Sequence, residues 1–231
     1  MAMHDPALSE FAPADAEVVL PRRMTEEEFV AWCDEDTRAE WVDGEVIIMS
    51  PANLEHCDLN AWLIRVLGTF VEEHGLGVVL PDATIRLARQ RRRRVPDVWF
   101  LAESRRHLLS ENHIEGPPDL VIEIVSPDSL SRDWREKYLE YQAAGVREYW
   151  IIDPMARHVE AYALEASPPS ETSATKEDRY HRVEEREGII ASTVLPGFRL
   201  RTAWLWPPRP QAMAALHETA TLGAQPPAPS P

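Results

Sequence analysis

Apolar residues along the chain follow two rhythms, and each change of rhythm marks an element. From about Asn53 to His74, Leu59, Trp62, Leu63, Val66, Leu67, Phe70 and Val71 recur every three to four residues. That spacing predicts a long helix whose single apolar stripe faces a sheet, and Gly75 and Gly77 end it. In "TEEEFVAWCDED", Thr25 as N-cap and three glutamates in the first turn predict a shorter helix. Asp43-Gly44 reads as a turn, with a strand from Glu45 to Met49 after it. Further strands are predicted at 78–80, 83–88, 95–101 and 119–125, and two more in "EYWIID" and "RHVEAYAL" around Asp153-Pro154. Helix 131–144, "SRDWREKYLEYQAA", stops at Gly145 and joins strand 119–125 to strand 148–152. This βαβ unit implies parallel neighbours with a right-handed crossover. "GIIASTVLPGFRLRTAWLW" is expected to close the domain as edge strands or a packed extension. The fold class is α/β, a central mixed β-sheet flanked by helices.

The flanks lack these rhythms. Residues 1–20 and 207–231 are rich in Ala and Pro and are expected to be disordered, apart from a helical turn in the tail. Residues 21–206 form one domain, with 165–179, "EASPPSETSATKEDR", as an irregular solvated insertion. The composition, 44% hydrophobic over 231 residues, suffices for a real core. No apolar run approaches the roughly 18 residues of a membrane span, and the start of the chain has no signal-peptide pattern. Cys33 and Cys57 have no metal-ligand spacing, so reduced thiols in a cytoplasmic protein are expected. A net charge of −15 argues against a broad polyanion-binding surface. Nucleic acid would need a local basic patch. The one basic block, "RQRRRR", supplies Arg91, Arg92, Arg93 and Arg94 as candidate phosphate contacts. A solvated turn offsetting nearby acids is the other reading.

Two acids stand where acids are costly. Glu123, in "PPDLVIEIVSPDS", is surrounded by Leu120, Val121, Ile122, Ile124 and Val125, and Asp97 lies in "RVPDVWFL". Burying an uncompensated carboxylate costs several kcal/mol. A shared divalent cation would remove both penalties, and Mg²⁺ needs only one or two carboxylates and keeps several waters. Pairing each acid with an arginine is the alternative. The chain has 22 arginines but two lysines, Lys137 and Lys176. Lys137 lies three residues after Trp134 and four before Tyr141, on the inward stripe of the helix after the Glu123 strand. A compact ammonium can orient or deprotonate a water where arginine cannot; a snorkelling surface lysine is the plainer reading. A glycosidase built on two carboxylates would gain nothing from Lys137.

"AEWVDGEVIIMSPANLEH", "RVPDVWF", "PDLVIEIVSPDS", "REKYLEYQAAGVREYWIIDP" and "VLPGFRL" together resemble the block pattern of the Uma-two family of restriction-endonuclease-like proteins, within the PD-(D/E)XK nuclease superfamily. The resemblance spans about residues 24–204. It implies a restriction-endonuclease-like core and a metal-dependent endonuclease that hydrolyses DNA, with RNA as a second substrate class. Asp97 and Glu123 would bind Mg²⁺, or Mn²⁺, with the Ile124 carbonyl as a further ligand. The usual lysine two residues after the glutamate is Val125 here, and Lys137 matches the family's downstream helix lysine. His56 matches a family histidine that could bind phosphate or relay a proton, or merely cap a helix. Glu40 matches a family glutamate that extends the acidic cluster or forms a surface salt bridge. Glu55 is a lesser candidate on the long helix, and Ser126 and Ser129 follow the Glu123 strand, where α/β sites lie. A homodimer is implied by the superfamily alone. The displaced lysine and the acidic balance leave a second reading, a non-catalytic nucleic-acid-binding or interaction module.

Overall fold

The computed structural model describes residues 18–19, 23–34, 37–126, 132–166 and 178–224. Along the chain, β1 (Val18–Val19), α1 (Glu26–Trp32), β2 (Ala39–Val42), β3 (Glu45–Ile48) and α2 (Leu54–Glu73) come first. Then follow β4 (Gly77–Pro81), β5 (Thr84–Leu87), β6 (Arg92–Arg94), β7 (Val98–Ala102), β8 (His113–Glu115) and β9 (Leu120–Ile124). The last are α3 (Tyr138–Ala144), β10 (Glu148–Asp153), β11 (His158–Ala166), β12 (Asp178–Arg182), β13 (Ile189–Ala191), β14 (Arg199–Arg201) and α4 (Ala212–Ala224).

The strands form two six-stranded sheets rather than one. In the larger the order is β12-β11-β10-β9-β7-β4, with β9 and β10 parallel as the βαβ reading requires. In the second the order is β1-β3-β2-β6-β5-β8. The pair β13-β14 is an antiparallel two-stranded sheet of its own, where edge strands or a packed extension were expected. Because successive strand residues point to opposite faces, the larger sheet is apolar on both. One face gives Val98, Phe100, Leu120, Ile122 and Trp150 to a cluster with the α2 stripe, from Leu59 to Val71. The other gives Trp99, Val121, Tyr149 and Ile151 to a cluster with Tyr141 of α3 and with Ile85, Leu87 and Ile114 of the second sheet. The sheet that carries Asp97 and Glu123 is therefore sealed from both sides.

Local signals place the ends. Asn53 caps α2 by accepting the His56 N–H, and Thr25 and Glu28 complete a capping box on α1. Gly77 lies so close to the Leu101 carbonyl of β7 that a Cβ there would sit 2.1 Å from it, which requires glycine.

Three expectations are corrected. The 207–231 tail carries the 13-residue helix α4, because Ala215, Leu216 and Thr219 have a buried face to fill against β14 and α2. The ends of the 165–179 insertion are strand, with Glu165 opposite Arg179 and Ala166 opposite Asp178; its middle, 167–177, and residues 1–17 lie outside the described residues. Helix 131–144 opens as a π-helix over Arg132–Lys137 and becomes α-helical at Tyr138.

A buried acid also fixes the C-terminal hairpin. Glu148, fully buried in β10, accepts from Trp150 Nε1 (2.6 Å), the Ser192 and Thr193 hydroxyls (3.0 and 2.6 Å), and the N–H groups of Thr193 and Val194 (2.7 and 3.0 Å). Alanine there would orphan these donors. Glu148→Ala is expected to cost about 3 kcal/mol or more, read as a lower urea midpoint.

Candidate active site

The β7–β9 pairing brings the segments of Asp97 and Glu123 side by side. β7 and β9 run antiparallel with Val98 opposite Ile122 and Trp99 opposite Val121. Asp97 stands in the bend just before β7, one residue short of this ladder. Glu123 follows the phase of Val121 and faces α3, where the Tyr141 hydroxyl bonds it. The Asp97 carboxylate also grips β9 itself: Oδ2 accepts the Ile124 N–H at 2.7 Å. The strand predicted at 95–101 thus begins three residues late, and Asp97 stands at its mouth.

Each acid has its own positive partners. Asp97 Oδ1 lies 2.9 Å from His56 Nε2, on the first turn of α2, and 3.7 Å from Arg38 Nη2. Glu123 Oε1 receives the Tyr141 hydroxyl at 2.8 Å and lies 3.0 Å from Lys137 Nζ. Burial, with Glu123 and Glu40 nearby, pushes the Tyr141 hydroxyl well above its ordinary range, so it stays a donor. Lys137 ends the π-helical segment with its side chain 5% exposed, and reaches back over the acids. This is not the surface lysine that a snorkelling reading required.

Glu40 is buried inside β2, not paired at the surface. Its Oε2 receives Arg94 Nη1 at 2.6 Å; its Oε1 receives the Val95 N–H at 3.1 Å and faces Lys137 Nζ at 3.7 Å. Burial pushes the Glu40 carboxyl up, but Lys137, Arg94 and the Val95 N–H together hold it below the usual glutamate range. Arg94, on β6, is fully buried and is shared by Glu40 and Glu140.

The arginine block is not an open loop. Arg89 and Gln90 lie in a 3₁₀ turn, and 92–94 is strand β6. Arg92 pairs with Glu140 at 2.8 Å, Arg93 with Glu26 at 2.8 Å, and Arg94 is spent inside the core. Arg91, 66% exposed, pairs with Asp43 and lies over the Trp41 ring. Of the four phosphate candidates Arg91 is the most exposed; the other three are tied to Glu26 of α1, Glu40 of β2 and Glu140 of α3, which surround β6. Glu55 is exposed in the first turn of α2 with no contact to the acids shown, and Ser129 lies outside the described residues. Arg38, Asp82 and Tyr141 were not read from sequence as site residues. Arg38 stands two residues before Glu40, the strand period, and that spacing could have flagged it.

Asp97, bonded to the Ile124 N–H, and Glu123, the residue before Ile124, are hard oxygen donors on adjacent segments, the donor type that Mg²⁺ takes. Among the described residues, no three His, Cys, Asp or Glu side chains gather as a ready-made metal cage. A dication at this site would be held by two carboxylates, with main chain and water supplying the rest, and would compete with His56, Arg38 and Lys137 for their oxygens.

A family model described as "Putative restriction endonuclease", Uma2, matches residues 26–203. The chain belongs to the Uma2 family. Its fold is also that of a solved structure from Anabaena variabilis ATCC 29413, described as a putative nuclease belonging to DUF820. That likeness has a TM-score of 0.61 at 20% identity, covering 79% of this chain and 97% of the other. No curated protein matches significantly. The Uma2 match ends before α4, so the helix packed behind α2 lies outside the matched region. No described helix is long and apolar enough to cross a membrane.

Glu40→Gln is expected to cost about 3–5 kcal/mol at neutral pH, since it leaves Arg94 and Lys137 short of charge. A lowered folded-state pKa stabilises above the ordinary glutamate range and fades as pH falls through the folded value. Wild-type stability should therefore drop below about pH 5 more steeply than that of Glu40→Gln, as urea midpoints against pH will report.

Proposed function

We propose that the chain is a metal-dependent endonuclease that hydrolyses phosphodiester bonds of DNA. The observation that carries this reading is the Lys137 ammonium, 3.0 Å from Glu123, the residue just before the Ile124 N–H that Asp97 accepts. Asp97, Glu123 and the Ile124 carbonyl would hold Mg²⁺ or Mn²⁺. When bound, such an ion supplies charge to the phosphoryl oxygens and acidifies its water. Lys137, kept from bulk solvent and steadied between Glu123 and Glu40, orients the attacking water by donating to it. His56, on Asp97 Oδ1, fixes that carboxylate and can take or pass a proton at Nε2. Tyr141 holds the Glu123 carboxylate by donating to Oε1. Membership in a family described as restriction endonucleases supports the same reaction class.

A second reading, a nucleic-acid-binding or interaction module without turnover, is favoured by one observation. Val125, at the position of the usual lysine, is buried among apolar side chains, so no cation can act from there.

The two separate on plasmid DNA with Mg²⁺ or Mn²⁺. Wild type is expected to nick or linearise it, and Asp97→Ala and Lys137→Met to lose at least about 100-fold in rate. Cutting by Asp97→Ala at the wild-type rate would overturn the assignment. Metal-independent binding without cutting would establish the module.

A further inference from the structure

Arg38 stands where the buried acids meet solvent. Its carbonyl accepts the Met49 N–H at 2.9 Å, so its backbone is fixed at the end of the β2–β3 ladder. Its side chain is 34% exposed and that of Asp82, on the turn between β4 and β5, is 44% exposed, against 6% for Asp97. The guanidinium makes its close contact to Asp82 through Nη2, and the same nitrogen is 3.7 Å from Asp97 Oδ1. Its Nε is buried with no hydrogen-bond partner.

This is an unusual way to use an arginine. A guanidinium presents a fork of donors that fits two oxygens of one carboxylate or phosphate. Were Arg38 merely the counter-ion of Asp97, that fork would sit on the buried carboxylate. Instead one nitrogen is shared between a close, exposed acid and a distant, buried one, and another donor has no acceptor at all. Burial pushes the Asp82 carboxyl up, and Arg38 does not bring it back to its usual range. The guanidinium is thus held at the mouth of the site with bonding capacity unspent.

We propose that Arg38 binds the substrate: its guanidinium takes the non-bridging oxygens of a nucleic-acid phosphodiester beside Asp97, and Asp82 is its resting dock when no substrate is present. The inference rests on the nuclease reading above and adds the residue that receives the phosphate. The shape of the ligand follows from the fork, two oxygens on one phosphorus, and its place follows from the adjacent acids. Arg92 to Arg94 are tied to Glu140, Glu26 and Glu40 instead.

The test measures binding of a short fluorescein-labelled DNA duplex and of its single strand to the full chain by fluorescence anisotropy. Ca²⁺ replaces Mg²⁺, and NaCl is varied. Arg38→Gln is expected to weaken duplex binding about tenfold and to reduce the salt slope by about 0.9, one phosphate contact. Arg38→Lys should keep the slope, because the charge remains. Asp82→Asn, a change tolerated by the backbone at φ 50°, should tighten binding severalfold by releasing Arg38. In the Arg38→Gln background that gain should vanish. Wild-type affinity and slope in Arg38→Gln would overturn the proposal. So would an Asp82→Asn gain of equal size in both backgrounds, which would mark it as general charge. If the unaltered chain binds neither duplex nor strand, the nuclease reading falls and this proposal with it.

Discussion

One fully buried guanidinium ties the second sheet to the helix that carries Lys137. Arg94 leaves β6 to sit between Glu40 of β2 and Glu140 of α3, and Glu40 faces Lys137, which faces Glu123 of β9. Charges of alternating sign thus run without interruption from the second sheet, through the helix, to the larger sheet. Each of these groups would be costly alone in an apolar interior, and each is tolerated because its neighbour has the opposite sign. Removing any one leaves at least one other stranded. The position of Lys137 over the acids is set by this chain of charges as much as by the helix that carries it.

The same constraint explains the fate of the arginine block. In an acidic protein, a run of five arginines around one glutamine invites an external, nucleic-acid-binding role. Glu26 of α1, Glu40 of β2 and Glu140 of α3, however, surround β6, and its three arginines answer them. What an outward reading takes for a polyanion-binding loop serves mainly as internal neutralisation. An arginine with a donor left over at the rim of the acids is instead Arg38, just before β2, unmarked by any local composition.

Much of the fold was legible because its elements obey local periods. The α2 stripe, the βαβ unit and the capped start of α1 follow from residue spacing alone, and Asp97 and Glu123 declared themselves as acids in apolar runs. What was not legible depends on pairings between distant segments. β2 pairs with β6 across half a hundred positions of chain, and nothing near Glu40 or Arg94 signals that each will be buried against the other. The split into two sheets was hidden for the same reason. α4 was masked differently: its Ala and Pro setting looks disordered, and only the hollow left beside β14 and α2 makes Ala215 and Leu216 useful. Lys137 was marked by the scarcity of lysine and His56 by family likeness, but their partners, Glu123 and Glu40 for Lys137 and Asp97 for His56, could not be read.

The bond from the Ile124 amide to Asp97 has a mechanical meaning. One acid is hitched to the strand that bears the other, so the bond opposes any sliding of β7 past β9 that would change their spacing. The spacing of the pair inherits the stiffness of a sheet packed on both faces, and thermal jitter in the exposed loops is filtered out before it reaches them. Adaptability is left to the rim, where a single long side chain can swing while the floor beneath it stays put.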